Sequence, residues 1–330
     1  MLIDLETVKE ITIGAVTVEE LDGVYKFHRF TSEQEALYLE KNPDRHGAVM
    51  HTAGVSLDFI TDSSEISLGI YTDPFIQRST LVPTLDVYED DLLVYSAEIT
   101  SERTMHKIAL SKGEGRVRIF LDCYAPCRIY DLSVDDGASV RATERRVNVL
   151  IYGDSITHGA RASHPSFTYV NRTLSALGWS GINQAVGGEA FRKWIPGTAR
   201  VTDPDVILIA YGTNDWYCRS LEDIERQEHE FFTSLRALYA DTPIIYISPI
   251  WRSDIEKDVP SGDLYTVADI MSEIARSYGA DVVCGRYLVP HYDEFFFDGL
   301  HPNDTGFLLY SDALVKAIKG VDSVRHLIEK

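Results

Sequence analysis

Cysteine is scarce and has no usable pattern. The chain has four in 330 residues: Cys123, Cys127, Cys218 and Cys284. Cys123 and Cys127 are four apart, and the other two have no near partner in sequence. That excludes a disulfide framework and paired zinc-ligand spacing. Buried, reduced thiols in a cytoplasmic setting are expected. Long hydrophobic runs are missing too. The longest, such as residues 206–211, fall far short of the roughly 20 residues that span a bilayer. The first six residues, Met1 to Glu6, are acidic early and lack a basic region before an apolar stretch, so no signal peptide is expected. Positive charge is in deficit, with 31 Lys and Arg against 51 Asp and Glu, for a net charge of −20. The deficit is −11 over residues 1–146 and −9 over the rest, so it is general rather than a tail. Such a surface repels nucleic acid and anionic headgroups. It favours a neutral or cationic partner, or simply solubility. Phosphate-cradling Gly-x-x-x-x-Gly-Lys, Gly-x-Gly-x-x-Gly and the Gly-x-Ser-x-Gly elbow are all absent.

What is present falls into two rhythms. Over residues 11–134, short segments alternate apolar with polar or small residues: 11–18, 24–30, 55–60, 66–71, 85–88, 93–97 and 117–121. Turn residues separate them, including Asp22-Gly23, the acidic stretch 89–91 and the Gly-rich stretch 112–115. Only residues 33–41 read as helical. This predicts an antiparallel β-sandwich. From residue 147 the pattern becomes apolar strands alternating with amphipathic stretches. Strands are expected at 147–152, 182–186, 206–211, 244–248 and around 282–283. Helices are expected at 166–177, 191–199, 221–239, 264–278 and 305–318. Alternation of this kind makes βαβ units and a parallel sheet. The polar stretch 137–146 marks the boundary, giving units of 1–140 and 141–330.

Open parallel sheets bind ligands beyond the carboxyl ends of their strands. Four segments fall there: Gly153-Asp154-Ser155, Asn183 to Gly188, Gly212-Thr213-Asn214-Asp215, and Asp298-Gly299-Leu300-His301. They supply the parts of an ester hydrolase. Ser155 is the candidate nucleophile. His301 is the candidate base, because imidazole titrates near working pH. Asp298, three residues earlier, can accept from its other ring nitrogen and fix its tautomer. The backbone N–H groups of Ser155 and Gly188 and the amide of Asn214 are candidate oxyanion donors.

In this order the four blocks resemble the SGNH (GDSL-type) hydrolases, over residues 147–319. The resemblance implies a flavodoxin-like α/β/α catalytic domain, with Ser155, Asp298 and His301 as triad and Gly188 and Asn214 in the oxyanion hole. Ile156 stands where lipase-like members often have Leu. The variant Gly-Asp-Ser-Ile-Thr, with Gly159 following, is similar to carbohydrate-esterase members. So is a jelly-roll-like sandwich placed first, as in two-domain acetyl-xylan esterases. Some of those use a Ser-His dyad, whereas Asp298 argues for a triad here.

The substrate is the less legible part. Asp154, Trp216, Tyr217 and Trp251 are candidate substrate-binding residues, and sugars stack on aromatic faces. The same aromatics, and Tyr292 with residues 295–297, could equally pack the core or loops. His158 is either a pocket residue or an exposed helix start. His291, Asp293 and His301 read as hydrogen-bonded residues, so neither metal nor cofactor is expected. With no apolar tunnel in view, a short acyl group, acetyl at its simplest, on an oligosaccharide or small molecule is expected. The alternatives are a lysophospholipase or thioesterase, or a saccharide-binding protein with a degenerate core. Homo-oligomerisation stays open.

Overall fold

The computed structural model describes residues 1–73, 81–111 and 113–328. Lys112, which opens the expected turn at 112–115, lies outside them. Eleven strands are formed before residue 143: β1 Thr12–Ile13, β2 Thr17–Leu21, β3 Val24–His28, β4 Ser56–Thr61, β5 Glu65–Thr72, β6 Thr84–Glu89, β7 Leu92–Glu98, β8 Thr104–Ala109, β9 Gly115–Phe120, β10 Cys127–Val134 and β11 Val140–Ala142. One sheet runs β1-β4-β9-β6-β7 with β11 on β4, the other β2-β3-β10-β5-β8. All pairings are antiparallel. The inward residues of the alternating strands meet between them: Leu57, Phe59, Leu68, Val87, Ile119 and Ile129 are fully buried there.

The helices at this end depart from the sequence expectation. Residues 5–11 form a helix, α1 Leu5–Ile11, whose N-terminus Asp4 caps by accepting from Thr7 N at 2.9 Å. Val8 and Ile11 bury on one face, so Ile11 closes a helix where its β-branched neighbours read as strand. The expected helix is α2 Ser32–Lys41, opened by a capping box between Thr31 and Gln34. A further helix, α3 Pro43–Val49, follows at once. Its Pro43 suits a first helical turn, yet Pro and Gly in seven residues read as turn.

The second half holds β12 Asn148–Gly153, β13 Ser180–Asn183, β14 Val206–Ala210, β15 Ile244–Ile247 and β16 Ala280–Val283. They are parallel and ordered β13-β12-β14-β15-β16. This is the flavodoxin-like order, with its switch point between β12 and β14. Helices α4 Ser155–His158, α5 Tyr169–Leu177, α6 Thr213–Cys218, α7 Leu221–Leu238, α8 Leu264–Ser277, α9 Asp304–Lys319 and α10 Arg325–Ile328 complete it. α5 pairs with α9 and α7 with α8, each pair over its own apolar core. The expected helix at 191–199 is a run of turns, stopped by Pro196 and by Gly197 at φ 81°. Phe191 instead plugs into Tyr211, Phe231 and Phe232. The second strand ends at Asn183, short of the expected Val186, because its next residues turn into the site. All four cysteines are free, but Cys218 and Cys284 are exposed rather than buried. Among the described residues, no helix is long and apolar enough to cross a membrane.

One buried group on α7 sets a pH dependence. Glu228 is fully buried and neither carboxyl oxygen has a hydrogen-bond partner. Burial pushes its pKa well above the ordinary value, and Asp215 adds to that. A carboxyl with a raised folded-state pKa costs stability once pH passes its unfolded value. Glu228→Gln is therefore expected to raise the urea midpoint at pH 8. The gap should close as pH falls towards 4, and a gap independent of pH would contradict this.

Candidate active site

The strand exits do converge. Gly153 ends β12, and a Cβ there would sit 2.3 Å from Thr157 Oγ1, so only glycine lets the chain turn this tightly into α4. Asp154 caps α4, accepting from Ile156 N at 2.9 Å. This leaves Ser155 as the first helical residue, with its Oγ 2.8 Å from His301 Nε2. His301 Nδ1 lies 3.0 Å from each carboxylate oxygen of Asp298. The same carboxylate accepts from His301 N at 2.9 Å and Leu300 N at 3.3 Å. The loop that carries the imidazole is thus clamped by the residue that orients it.

Gly188 needs its glycine twice over. Its φ is 77°, and a Cβ would come within 2.3 Å of the Arg45 guanidinium. Among the described residues, the N–H groups of Ser155 and Gly188 make no hydrogen bond. Asn214 spends one amide hydrogen on Glu189 O at 2.8 Å, which fixes the amide and leaves the other available. Ser155, Gly188, Asn214 and His301 all line one cavity of about 780 Å³. The arrangement has what acyl transfer through a serine requires: a hydroxyl on a base, a base on an orienting carboxylate, and spare donors beside the hydroxyl.

Electrostatics match that use. Burial lowers the His301 pKa below 6.5, while the Asp298 charge and hydrogen bond work the other way. The ring is therefore neutral and able to accept a proton at neutral pH. For Asp298, burial acts to raise the pKa, but the N–H groups and the His301 ring outweigh it and hold the carboxylate below its ordinary value.

The four residues named as substrate contacts are elsewhere. Asp154 is buried behind the serine, with burial raising its pKa to about 7, and it does not line the cavity. Trp216 is core: fully buried, with Nε1 donating to Gly262 O at 2.7 Å and Arg252 over its face. Tyr217 is occupied by Lys257 and Arg252 on the rim of α6. Trp251 stacks on His291 and meets Phe296 edge-on. Helix α6 turns the indole of Trp216 into the sheet's far face, which adjacency to Asn214 in sequence does not reveal.

Other residues take those places. His158 is fully buried, not an exposed helix start; its Nδ1 accepts from Gly187 N at 3.0 Å and its ring stacks on Tyr124. It holds the glycine loop, and burial keeps it neutral by lowering its pKa well below 6.5. Arg161, at φ 73°, donates from Nε to Asp298 Oδ2 at 3.2 Å and covers the Phe297 ring. Arg45, Lys26 and Tyr124 come to the cavity from the first half of the chain. Among the blocks read from sequence nothing marked them. Their one signal is that a glycine pair next to a nucleophile must lie against something.

Known proteins resemble this chain in sequence and in fold. Residues 151–308 match the GDSL-like Lipase/Acylhydrolase family. A GDSL lipase, Rv0518, of Mycobacterium tuberculosis (strain ATCC 25618 / H37Rv) is 26% identical over 190 residues, covering 52% of this chain and 80% of its own. Among solved structures, the salicylyl-acyltransferase SsfX3 from a tetracycline biosynthetic pathway aligns over 95% of this chain and 96% of its own, with TM-score 0.80 and 21% identity. A family two carbohydrate esterase from Cellvibrio japonicus aligns over 98% and 97%, with TM-score 0.67 and 16% identity. These two show the fold, sandwich included.

Two measurements check the roles read here. kcat/KM for 4-nitrophenyl acetate is expected to fall on the acid side with a midpoint below pH 6.5. Asp298→Asn removes the influence that raises the imidazole, so this limb should move to lower pH as kcat drops. A limb that moves upward would contradict the assignment. Asn214→Ala should lower kcat about a hundredfold with little change in KM; a loss confined to KM would remove it from the oxyanion site.

Proposed function

The chain carries a GDSL/SGNH hydrolase domain and is an ester hydrolase, and we propose that it removes short acyl groups, acetyl at the simplest, from a carbohydrate through an acyl-enzyme on Ser155. The observation that carries this reading is the relay from Ser155 Oγ to His301 Nε2 at 2.8 Å and from Nδ1 to Asp298 at 3.0 Å, opening on the cavity. Ser155 Oγ attacks the ester carbonyl while its proton passes to His301. The negative oxygen is met by the N–H groups of Ser155 and Gly188 and the free amide hydrogen of Asn214. As the intermediate collapses, His301 gives the proton to the departing alkoxide. Water then attacks the acyl-enzyme, yielding its proton to His301, which returns it to Ser155 as the acid leaves.

Arg45, Arg128, Arg161 and Asp73 share the wall of a cavity of about 780 Å³ with Pro43, Ala48, Met50, Pro126 and Leu300, which leaves room for a sugar unit or two beside the acyl group. The carbohydrate is supported by the likeness, along nearly the whole chain, to the Cellvibrio japonicus esterase. The four free cysteines, two of them exposed, support a reducing, cytoplasmic setting.

Ser155→Ala is expected to cut 4-nitrophenyl acetate turnover by at least about a thousandfold. More than a tenth of wild-type activity remaining would sink the mechanism. Across acetate, butyrate and octanoate esters, kcat/KM should decline. A rise with length would instead favour a lysophospholipase or thioesterase, and saccharide binding without any deacetylation would favour a degenerate core.

A further inference from the structure

The cavity does not share the charge of the chain that builds it. Acidic residues outnumber basic ones 51 to 31 over the sequence. Among the described residues lining the cavity, the cations are Lys26, Arg45, Arg128 and Arg161 and the carboxylates are Asp44 and Asp73. Arg128 pairs with Asp73, and Arg161 pairs with Asp298 through Nε while its Nη1 is buried with no hydrogen-bond partner among the described residues. Among the described residues, neither the Lys26 nor the Arg45 side chain makes an ion pair or a hydrogen bond. Other half-buried or buried arginines do find acceptors: Arg118, Arg192 and Arg219 find the carboxylates of Asp91, Glu189 and Asp215, and Arg29 and Arg236 find backbone carbonyls. Among the described residues, the Arg45 guanidinium therefore has no acceptor for its five donors.

Its position gives that vacancy a meaning. Arg45 is half-buried on α3, with its guanidinium against the α-carbon of Gly188. The bare glycine is what lets the cation reach this far along the wall that Ser155 and His301 also line. A planar fork of donors held beside a reactive serine matches a carboxylate in two parallel hydrogen bonds. An acetyl group has no room for such a charge, so the anion belongs to the alcohol side of the ester.

We propose that the alcohol released by this enzyme carries a carboxylate, as an acylated uronic acid does, and that Arg45 binds it with Lys26 adding attraction from the cavity mouth. This rests on Ser155 being the nucleophile. It also reverses, locally, the preference for neutral or cationic partners that net charge alone implies.

Two matched pairs of acetate esters test it at low ionic strength. One is mono-O-acetylated methyl glucuronoside against the corresponding glucoside. The other is 4-acetoxybenzoate against its methyl ester, which needs no sugar. In the wild type, kcat/KM is expected to favour the anionic member of a pair by about tenfold or more, mostly through KM. Arg45→Gln should bring the ratio to within about twofold, Arg45→Lys should keep part of it, and 0.5 M salt should shrink it. A preference in the aryl pair alone supports the carboxylate site while counting against the carbohydrate. No preference in either pair, a preference that survives Arg45→Gln, or an equal loss on both members overturns the proposal. Hydrolysis of the neutral aryl ester that vanishes in Ser155→Ala shows, separately, that the reading of the nucleophile still stands.

Discussion

One guanidinium joins the two halves of this molecule. Arg29 is fully buried, and burial lowers its pKa to about 10, so it stays charged in the interior at neutral pH. Its donors go to carbonyl oxygens: His51 at 2.6 Å, Ala48 at 2.9 Å, Ala185 at 3.1 Å, and Asn183. The first two belong to the segment around α3, the last two to the loop leading to Gly188. Gln34 and Gln184 reinforce the seam, their amides meeting at 3.0 Å while Gln184 also donates to Arg29 O at 2.8 Å. A buried charge stripped of such partners costs several kcal/mol, so the glycine loop and the arginine facing it are held in one registration.

The chemistry was legible because it obeys a geometric rule. Parallel strands deliver their exits to one edge, so Ser155, Gly188, Asn214 and His301 could be gathered on paper from segments almost 150 residues apart. Strand and helix periods in the second half follow from burial on both faces, and they reappear with ends shifted by a few residues. The failures have a shared cause. Residues 191–199 have an apolar rhythm, but Pro196 and Gly197 break it and tertiary packing takes Phe191. Trp216 and Tyr217 sit beside Asn214 in sequence, yet α6 points them away. The cavity's other wall, with Arg45, Lys26 and Tyr124, comes from residues whose relevance exists only once the sandwich has docked.

Asp298 carries more than an orienting role. It receives two backbone N–H groups of its own loop, the imidazole, and Arg161 from the segment after the serine. The loop cannot shift without losing several of these together. Its carboxylate is nonetheless partly open to solvent, unlike Asp154, which is sealed and pushed the other way to about 7. Two aspartates near the same serine, one next to it in sequence and one reaching it through His301, thus differ in burial and charge: one accepts from the imidazole, the other closes a helix end.

The packing of Gly188 against Arg45 has a consequence for descent. The candidate reacting groups are carried by the parallel-sheet half, whereas Lys26 and Arg45 on the facing cavity wall are carried by the sandwich half. Neither half can drift freely, since any side chain appearing at 188 must displace a cation encoded more than a hundred residues earlier. A chimera that exchanged the sandwich alone would leave Ser155, Asp298 and His301 in place and replace the wall that Lys26 and Arg45 supply.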